Sequence, residues 1–190
     1  MKRLFDLLCS VPLLVILSPL LLLVAIIMKF EGKGPIIFKQ KRGGYKQNHF
    51  YIYKFRTMIQ NAENTGLGYK TEKNDPRITR VGNVLRKYSI DELPQLINII
   101  KGDMSIVGPR PALTVQTDNY NNYQLQRLQV KPGITGLAQI NGRNTLTWDE
   151  RIKWDVEYVN KASLWLDIKI ILKTVFIVLR RKDIYKDKAG

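Results

Sequence analysis

The sequence has very few of the residues on which common metal and nucleophile sites depend. Its single cysteine, Cys9, lies in an apolar run and cannot form an internal disulfide, which fits a reducing, cytosolic setting for the folded part. Its single histidine, His49, cannot form a metal site alone, so histidine-centred zinc chemistry and a Ser-His-Asp triad are disfavoured. Neither GxxxxGK followed by Ser or Thr nor GxGxxG occurs, so neither a P-loop nor a Rossmann nucleotide site is supported.

Acidic residues are also scarce in this chain of 190 residues, which is long enough for one domain of ordinary size. Asp and Glu number 16 against 31 Lys and Arg, which gives a formal net charge of +15. A globular domain does not need such an excess for its fold. The charge therefore indicates a polyanionic partner. The alternatives are nucleic acid, an anionic membrane face and a phosphate-bearing substrate.

Charge is absent altogether from residues 7–28, where almost every side chain is aliphatic. A helix over this run is roughly 33 Å long, about the thickness of the hydrocarbon core of a bilayer. A signal peptide normally has a shorter apolar core, and no small-x-small cleavage site follows Met28, so this alternative is disfavoured. We therefore expect residues 1–30 to form a membrane helix.

The topology of this helix depends on the residues that flank it and on a proline inside it. Basic residues stand at both ends, and the positive-inside rule places both ends in the cytoplasm. These residues are Lys2 and Arg3 in front and Lys29, Lys33, Lys39, Lys41 and Arg42 behind. Pro19 predicts a kink, where the Ser18 hydroxyl can bond to a carbonyl that the proline leaves free. A kinked spanning anchor is the alternative, but the flanking charges favour a re-entrant, monotopic helix.

The rest of the chain is expected to fold as one compact domain of the α+β class, predominantly helical. We place this cytoplasmic domain, at the membrane interface, over residues 31–182 and a polar tail over residues 183–190. Two short β-branched or aromatic runs at 36–38 and 50–53 lie on either side of Gly43-Gly44 and predict a small β-hairpin.

Three helices are predicted in this domain. The first covers residues 81–88, and the second begins at Ser89, an N-cap candidate with Glu92 at the capping-box spacing, and ends at Gly102. The third covers residues 164–179, where apolar positions alternate with lysines. This segment fits either an amphipathic helix in the membrane interface or a core helix of the domain.

Asp91 and Glu92 are the strongest candidates for chemistry. Adjacent carboxylates at a helix start lie at the positive end of the helix dipole, which keeps them ionised. They could hold Mg²⁺ through one or two oxygens, with waters and phosphate in the remaining positions, and an aspartate can attack phosphorus to form an acyl-phosphate. Ordinary helix capping is the alternative, because acidic residues are common in a first helical turn.

Several cations occur in segments whose glycines or prolines restrict the backbone. The planar fork of arginine suits phosphate oxygens, and Arg110 is preorganised by Pro109 and Pro111 on either side. A lone arginine in a loop is usually a solvated surface group, so the argument depends on the whole set. The candidate phosphate or nucleotide ligands are Lys54, Arg56, Arg86, Arg110 and Arg143.

Short motifs follow one another in a fixed order along most of the chain. They are Ser18-Pro19, Lys41-Arg42-Gly43, Lys54-Phe55-Arg56-Thr57-Met58, Asp91-Glu92-Leu93-Pro94-Gln95, Lys101-Gly102-Asp103-Met104-Ser105, Gly108-Pro109-Arg110-Pro111, Pro132-Gly133-Ile134-Thr135-Gly136 and Asn141-Gly142-Arg143. Their order closely resembles the bacterial sugar transferase family, and more narrowly its small monotopic phosphoglycosyl transferases. The resemblance runs from about Lys2 to about Arg181, and the string of motifs is far more specific than any one of them.

The resemblance implies a two-step transfer in which Asp91 is the nucleophile. Asp91 would attack the sugar-linked phosphate of a UDP-sugar, expel UMP and form a covalent phospho-sugar enzyme. Undecaprenyl phosphate would then take up the sugar phosphate, which predicts ping-pong kinetics. Mg²⁺ is expected near Asp91, and Glu92 would assist in metal or proton handling. The expected phosphate contacts are Arg86, Arg110 and Lys54 or Arg56, and the expected nucleotide contact is Arg143.

The resemblance also implies a cellular place and a set of partners. It places the protein at the bacterial cytoplasmic membrane, with the catalytic domain on the cytoplasmic face, in the first membrane step of capsule, O-antigen or other glycan assembly. An N-acetylated UDP-sugar is favoured over a UDP-hexose as the donor. Undecaprenyl phosphate and inner-membrane phospholipid are the other expected partners, with no nucleic acid and with a homodimer left open. A membrane-tethered basic module that binds anionic lipid or nucleic acid without catalysis is the alternative.

Overall fold

The computed structural model describes residues 1–32, 34–66, 68, 71–72, 74–142 and 145–180. This part of the chain is mostly helical and contains two small two-stranded sheets, which confirms the predicted α+β class. The helices are α1 Lys2–Glu31, α2 Arg80–Lys87, α3 Gln95–Lys101, α4 Thr114–Thr117, α5 Asn122–Leu125, α6 Leu137–Ile140, α7 Trp148–Lys161 and α8 Leu164–Arg180. The strands are β1 Ile37–Gly43, β2 His49–Phe55, β3 Ser105–Val107 and β4 Gly133–Thr135. Turns of 3₁₀ helix cover Tyr45–Gln47, Ala62–Asn64, Ile90–Glu92 and Gln126–Gln129.

Strands β1 and β2 form the antiparallel hairpin that the sequence predicts, and both are longer than predicted. The register pairs Ile37 with Phe55 at the open end of the hairpin. The outer edge of β2 is closed by the fully buried Asn98 of α3. Its side-chain amide donates to the Tyr51 carbonyl at 2.7 Å, and its carbonyl oxygen accepts from the Tyr53 amide at 3.0 Å. Two backbone groups of an edge strand are thereby satisfied inside the fold.

Strands β3 and β4 run parallel and fix the start of the segment that follows β3. Ser105 pairs with Gly133, and Val107 pairs with Thr135. The two backbones approach so closely that a Cβ on Gly133 would lie 2.1 Å from the Gly108 nitrogen. Only glycine fits at this crossing, and the chain after Gly108 therefore leaves the sheet from a fixed point.

Helix α1 is one continuous helix of 30 residues that contains both Pro12 and Pro19. Pro19 has no amide hydrogen for the Val15 carbonyl, and the Ser18 hydroxyl donates to that carbonyl at 2.7 Å, as predicted. The most apolar stretch has a mean hydropathy of 2.9, and the helix is long and apolar enough to cross a membrane. The kink and the re-entrant path stay predictions.

Both ends of α1 are bonded to the rest of the fold. At the N-terminal end, Lys2 pairs with Asp167 of α8 at 2.5 Å, and the buried Asp6 carboxylate accepts two hydrogen bonds from β3, at 2.9 and 3.1 Å. At the C-terminal end, Glu31 accepts from the Val81 amide at 2.6 Å. Between its ends, α1 contributes apolar side chains to two of the core clusters. One face of the helix is therefore packed against the domain along its length.

The capping box predicted at Ser89 is wrong. Ser89 has a left-handed backbone with a φ of 56° and makes no side-chain capping bond. Residues Ile90–Glu92 then form a 3₁₀ turn, and α3 begins only after that turn. The physical reason is that the Glu92 carboxylate accepts hydrogen bonds from Lys54 and Arg110, so it does not return to the backbone of Ser89.

The other predicted helices are confirmed. Helix α2 matches the prediction over 81–88, and α3 ends at Gly102, whose φ of 93° suits glycine. Helix α8 matches the prediction over 164–179. One of its faces enters the core through the fully buried Ile170, while Trp165 on another face is 65% exposed. The helix thus combines a core face with an exposed apolar face, and its place in a membrane interface stays a prediction.

Candidate active site

One large cavity, of about 540 Å³, brings together most of the residues that the sequence singles out. Its walls come from the β-hairpin, the loop after β2, the end of α2, the 3₁₀ turn Ile90–Glu92 and the segment after β3. The candidate site residues that line it are Lys54, Arg56, Arg86, Asp91, Glu92 and Arg110. Arg143 lies outside the described residues, so its contact with the nucleotide stays a prediction.

Glu92 is engaged by two cations. Its carboxylate accepts from Lys54 Nζ at 2.8 Å and from the two terminal nitrogens of Arg110 at 2.5 and 3.3 Å. Burial alone would raise the pKa of this carboxyl, but the charges of Arg110 and Lys54 hold it well below its usual range. Glu92 is therefore ionised and fixes the positions of both cations.

Asp91, unlike Glu92, is not paired with a basic side chain among the described residues. Its side chain is 9% exposed, lines the cavity and makes no hydrogen bond or ion pair within the part of the chain that the structure describes. Consecutive residues of a 3₁₀ turn point about 120° apart, so the carboxylates of Asp91 and Glu92 face different surroundings. Burial and the Glu92 charge raise the pKa of Asp91 to about 6, against the charges of Lys54, Arg86 and Arg110. Asp91 is thus a desolvated carboxylate that is ionised at neutral pH, which suits a nucleophile.

The remaining cations of the cavity are oriented by hydrogen bonds to neutral oxygen atoms. Arg86 Nε donates to the Thr57 hydroxyl at 2.8 Å, and Arg56 Nη2 donates to the Gly32 carbonyl at 3.3 Å. Among the described residues, five basic and three acidic side chains line the cavity. This excess of positive charge suits a ligand with several phosphate oxygens.

The cavity also contains residues that the sequence does not reveal as site residues. They are neutral amides and hydroxyls, which suit the recognition of sugar hydroxyls or a base: Gln40, Thr57, Gln60, Asn61, Thr71 and Gln116. Thr57 could have been found, since it lies within the motif that carries Lys54 and Arg56. Gln40 and Gln116 could not, because they come together only where the Arg42–Leu113 bridge joins distant segments.

Two carboxylates that line this cavity, those of Asp91 and Glu63, have no hydrogen-bond or ion-pair partner among the described residues. No group of three or more His, Cys, Asp or Glu side chains that could hold a metal occurs among the residues that the structure describes. Mg²⁺ commonly binds through one or two carboxylates together with substrate phosphates, and Asp91 meets that requirement. Glu92 does not, because Lys54 and Arg110 already engage it. The residues therefore fit an ion that arrives with a phosphate ligand and is held on the protein side by Asp91.

Comparison with known proteins identifies close relatives of the chain. The family model described as bacterial sugar transferase matches residues 1–181. The chain is 44% identical over 179 residues to the "Uncharacterized sugar transferase EpsL" of Bacillus subtilis, with 94% of this chain and 87% of that protein aligned. It is 42% identical to the "UDP-glucose:undecaprenyl-phosphate glucose-1-phosphate transferase" of Caulobacter vibrioides, over 97% of this chain and 72% of that protein. It is 51% identical to the "Galactosyl transferase CpsE" of Streptococcus agalactiae, over 77% of this chain and 35% of that protein.

These relatives differ in how much of their length the chain covers. It spans most of the Bacillus and Caulobacter proteins but about a third of CpsE. All of the motifs and all of the cavity residues lie within the residues that the family model matches. Because that match covers nearly the whole chain, the protein belongs to the bacterial sugar transferase family.

Proposed function

We propose that the protein transfers a sugar 1-phosphate from a UDP-sugar to undecaprenyl phosphate and releases UMP. The observation that carries this proposal is the contrast between two adjacent carboxylates in one cavity. Glu92 is held by Lys54 and Arg110, whereas Asp91 faces the same cations without a partner among the described residues. The names of the relatives support the choice of substrates, since the Caulobacter protein is named for UDP-glucose and undecaprenyl phosphate.

In the first half-reaction, a carboxylate oxygen of Asp91 attacks the phosphorus that carries the sugar. A P–O bond to Asp91 forms, the P–O bond to the oxygen bridging the two phosphates breaks, and UMP leaves with that oxygen and its electron pair. In the second half-reaction, an oxygen of undecaprenyl phosphate attacks the same phosphorus, and the Asp91 carboxylate leaves. The product is undecaprenyl diphosphate sugar, and Asp91 returns to its starting state.

The basic side chains of the cavity stabilise the charge on the phosphate oxygens during both steps. Phosphoryl transfer depends mainly on positioning and charge neutralisation. The electrostatic interactions that neutralise charge are stronger in a site that excludes water. Arg110 and Lys54 are held in place by Glu92, and Arg86 is held by Thr57. A Mg²⁺ ion held by Asp91 would neutralise further charge on the phosphates.

The sugar of the UDP-sugar donor has two candidate classes, N-acetylated sugars and hexoses. The resemblance favours an N-acetylated sugar, whereas the names of the Caulobacter and Streptococcus relatives refer to glucose and to a galactosyl group. The neutral side chains of Gln40, Asn61 and Gln116 line the cavity, and amides can donate to or accept from a hydroxyl or an acetamido group. A panel of UDP-sugars that contains both classes decides between them.

We also propose that α1 enters and leaves the membrane on the cytoplasmic side. Its first turn is bonded to the domain through Lys2 and Asp167, and its last turn through Glu31 and Val81. A helix that crosses the bilayer separates its ends by about 30 Å of hydrocarbon, which a single domain on one side cannot bridge without entering the lipid. Single cysteines placed at either end should both react with an impermeant reagent in inverted vesicles. Reaction of the two ends from opposite sides would overturn the re-entrant path.

The decisive experiment is an assay of UMP release by the purified full chain with Mg²⁺ and undecaprenyl phosphate. The donors tested are UDP-glucose, UDP-galactose and their N-acetylated counterparts. At least one donor is expected to support turnover, and without the acceptor that donor is expected to give one equivalent of UMP and a phospho-sugar adduct on Asp91. No UMP from any of these donors with a folded protein would refute the transferase. UMP release that requires both substrates, with no burst, would refute the covalent step.

A further inference from the structure

Hydrogen bonds from other parts of the fold hold the backbone on both sides of Arg110. Four successive carbonyls, from Pro109 to Ala112, each accept a hydrogen bond from another part of the fold. The donors, in chain order, are the Gly133 amide at 2.9 Å, Arg127 Nη2 at 2.8 Å, Arg42 Nη1 at 3.3 Å and the Gly43 amide at 3.0 Å. Pro109 and Pro111 fix their own φ, and a residue that precedes proline is restricted to extended conformations. The bonds therefore leave the backbone of Arg110 little freedom to rotate.

The donor to the Arg110 carbonyl is itself a buried charge. Arg127 is 4% exposed and lies against the neighbouring rings of Tyr120 and Trp148, with centroids 5.7 and 5.5 Å from its guanidinium carbon. Its Nη2 pairs with Asp155 at 2.5 Å, and its Nη1 donates to the Tyr120 hydroxyl at 2.5 Å. We call Tyr120, Arg127, Trp148 and Asp155 the Arg127 pocket. The guanidinium fork thus holds three partners at once, and the Arg110 carbonyl is the one that belongs to the active site.

A buried ion pair contributes little to stability, because the cost of removing both charges from water offsets their attraction. The Arg127–Asp155 pair therefore calls for a role beyond stability. Only Arg110 separates Arg127 from the active site, because the side chain of Arg110 donates to Glu92 at 2.5 Å. A rotation of the Arg110 backbone would withdraw its guanidinium from Glu92 and from the cavity.

We infer that Arg127, held by the other members of the Arg127 pocket, is a positioning residue that sets Arg110 against Glu92 for contact with the donor phosphates. This inference deepens the proposed function and rests on it for the identity of the ligand. It assigns no contact between Arg127 and substrate, because Arg127 acts only through the Arg110 backbone.

The test is a double-mutant cycle with Arg127→Lys and Arg110→Met in the full chain. Lysine keeps the positive charge opposite Asp155, but its single ammonium cannot reproduce the planar fork that serves Asp155, Tyr120 and Arg110 together. Two quantities are measured for each variant: the rate of UMP release at saturating UDP-sugar, and the dissociation constant for UDP with Mg²⁺ by calorimetry.

The cycle separates a positioning role from a general effect on stability. Arg127→Lys alone is expected to lower the rate about 10- to 100-fold, the range for the loss of a hydrogen bond that involves a charged group. In the Arg110→Met chain the same substitution is expected to change the rate less than about 2-fold, because the residue that Arg127 positions is already gone. Equal fold-losses in both chains would overturn the inference.

A matched pair of tyrosine variants gives a second readout if Arg127→Lys folds poorly. Tyr120→Phe removes the hydroxyl that orients Arg127 and is expected to slow UMP release about 3- to 10-fold. Tyr158→Phe removes a buried hydroxyl outside the Arg127 pocket, which donates to Asp167 at 2.7 Å, and is expected to lower the melting temperature without slowing the folded enzyme. The inference fails if the two variants slow UMP release equally.

The outcomes also distinguish this inference from the proposed function. If the wild-type chain releases UMP but the cycle shows no coupling, the positioning role fails and the proposed function stands. If the chain releases no UMP yet binds UDP, and Arg127→Lys weakens that binding only when Arg110 is present, the transferase fails and the positioning role stands. A folded chain that neither releases UMP nor binds UDP overturns both.

Discussion

The active-site cavity and the Arg127 pocket differ in how completely their charged side chains are paired. In the Arg127 pocket, one guanidinium and one carboxylate are matched at 2.5 Å, and two aromatic rings pack against the guanidinium. In the cavity, five basic side chains face three acidic ones among the described residues, and Asp91 has no partner there. Matched charges need no ligand, whereas an excess of one sign of charge in a cavity attracts a ligand of the opposite charge. The difference teaches that unmatched charge, rather than buried charge as such, indicates where substrate binds.

The same contrast separates the two adjacent carboxylates of the 3₁₀ turn. Glu92 is matched, and its pKa lies well below the usual range because Arg110 and Lys54 oppose the effect of burial. Asp91 is unmatched, and burial raises its pKa to about 6. We therefore expect substitutions at these two neighbours to change stability in opposite directions.

The largest effect is expected for Asp91→Asn. Removal of the nucleophile should lower the rate of UMP release at least about 10³-fold and abolish the phospho-sugar adduct. The melting temperature should stay the same or rise, because the substitution removes a desolvated charge that has no partner in the described structure. The measurements are UMP release, intact-protein mass after incubation with donor, and thermal unfolding. An Asp91→Asn chain that turns over would refute the assigned nucleophile.

The next largest effect is expected for Glu92→Gln. The substitution leaves Lys54 and Arg110 without their shared carboxylate, so both lose their fixed positions. The rate of UMP release should fall about 10²- to 10³-fold, and the free energy of unfolding should fall by about 2 kcal/mol. Kinetics and denaturant unfolding are measured beside Asp91→Asn in the same buffer. A rise in stability for Glu92→Gln would break the contrast between matched and unmatched carboxylates.

Much of the site could be predicted because its residues are recognisable from their immediate sequence neighbours. Asp91 and Glu92 are adjacent in sequence, and Arg110 stands between two prolines that restrict it. The bond from the Ser18 hydroxyl to the Val15 carbonyl follows from the missing amide of Pro19 alone. Each of these inferences needs only the chemistry of one short segment.

The features that could not be predicted depend on partners far away in the chain. The capping box at Ser89 failed because Glu92 is engaged by residues 38 and 18 positions away, which no local spacing reveals. Arg127 and Asp155 lie in polar segments, where solvent exposure of a charged side chain is the ordinary expectation. Their burial becomes visible only when α7 packs against the turn that carries Arg127.

A smaller effect is expected in the pH dependence of stability, measured without Mg²⁺. Asp91 has a folded pKa of about 6 against an ordinary value of 3.8, so the folded state keeps a proton between these values that the unfolded chain has lost. Unfolding then releases a proton, and stability falls as the pH rises through this window. Relative to Asp91→Asn, in which all other titrating groups are the same, wild type should lose about 2 to 3 kcal/mol between pH 4 and pH 7. A constant difference between the two proteins would contradict the raised pKa.

The smallest effect is expected for Lys161→Gln, which tests whether pairing or burial sets the energetic importance of a charge. Lys161 pairs with Glu157 one helical turn away at 2.8 Å, but their side chains are 68% and 34% exposed. Water and salt screen such a pair, so the free energy of unfolding should change by less than about 0.5 kcal/mol and UMP release should not change. Denaturant unfolding at low and high salt measures the effect. A loss as large as that for Glu92→Gln would show that pairing matters regardless of burial, and the comparison between the cavity and the Arg127 pocket would then lose its physical basis.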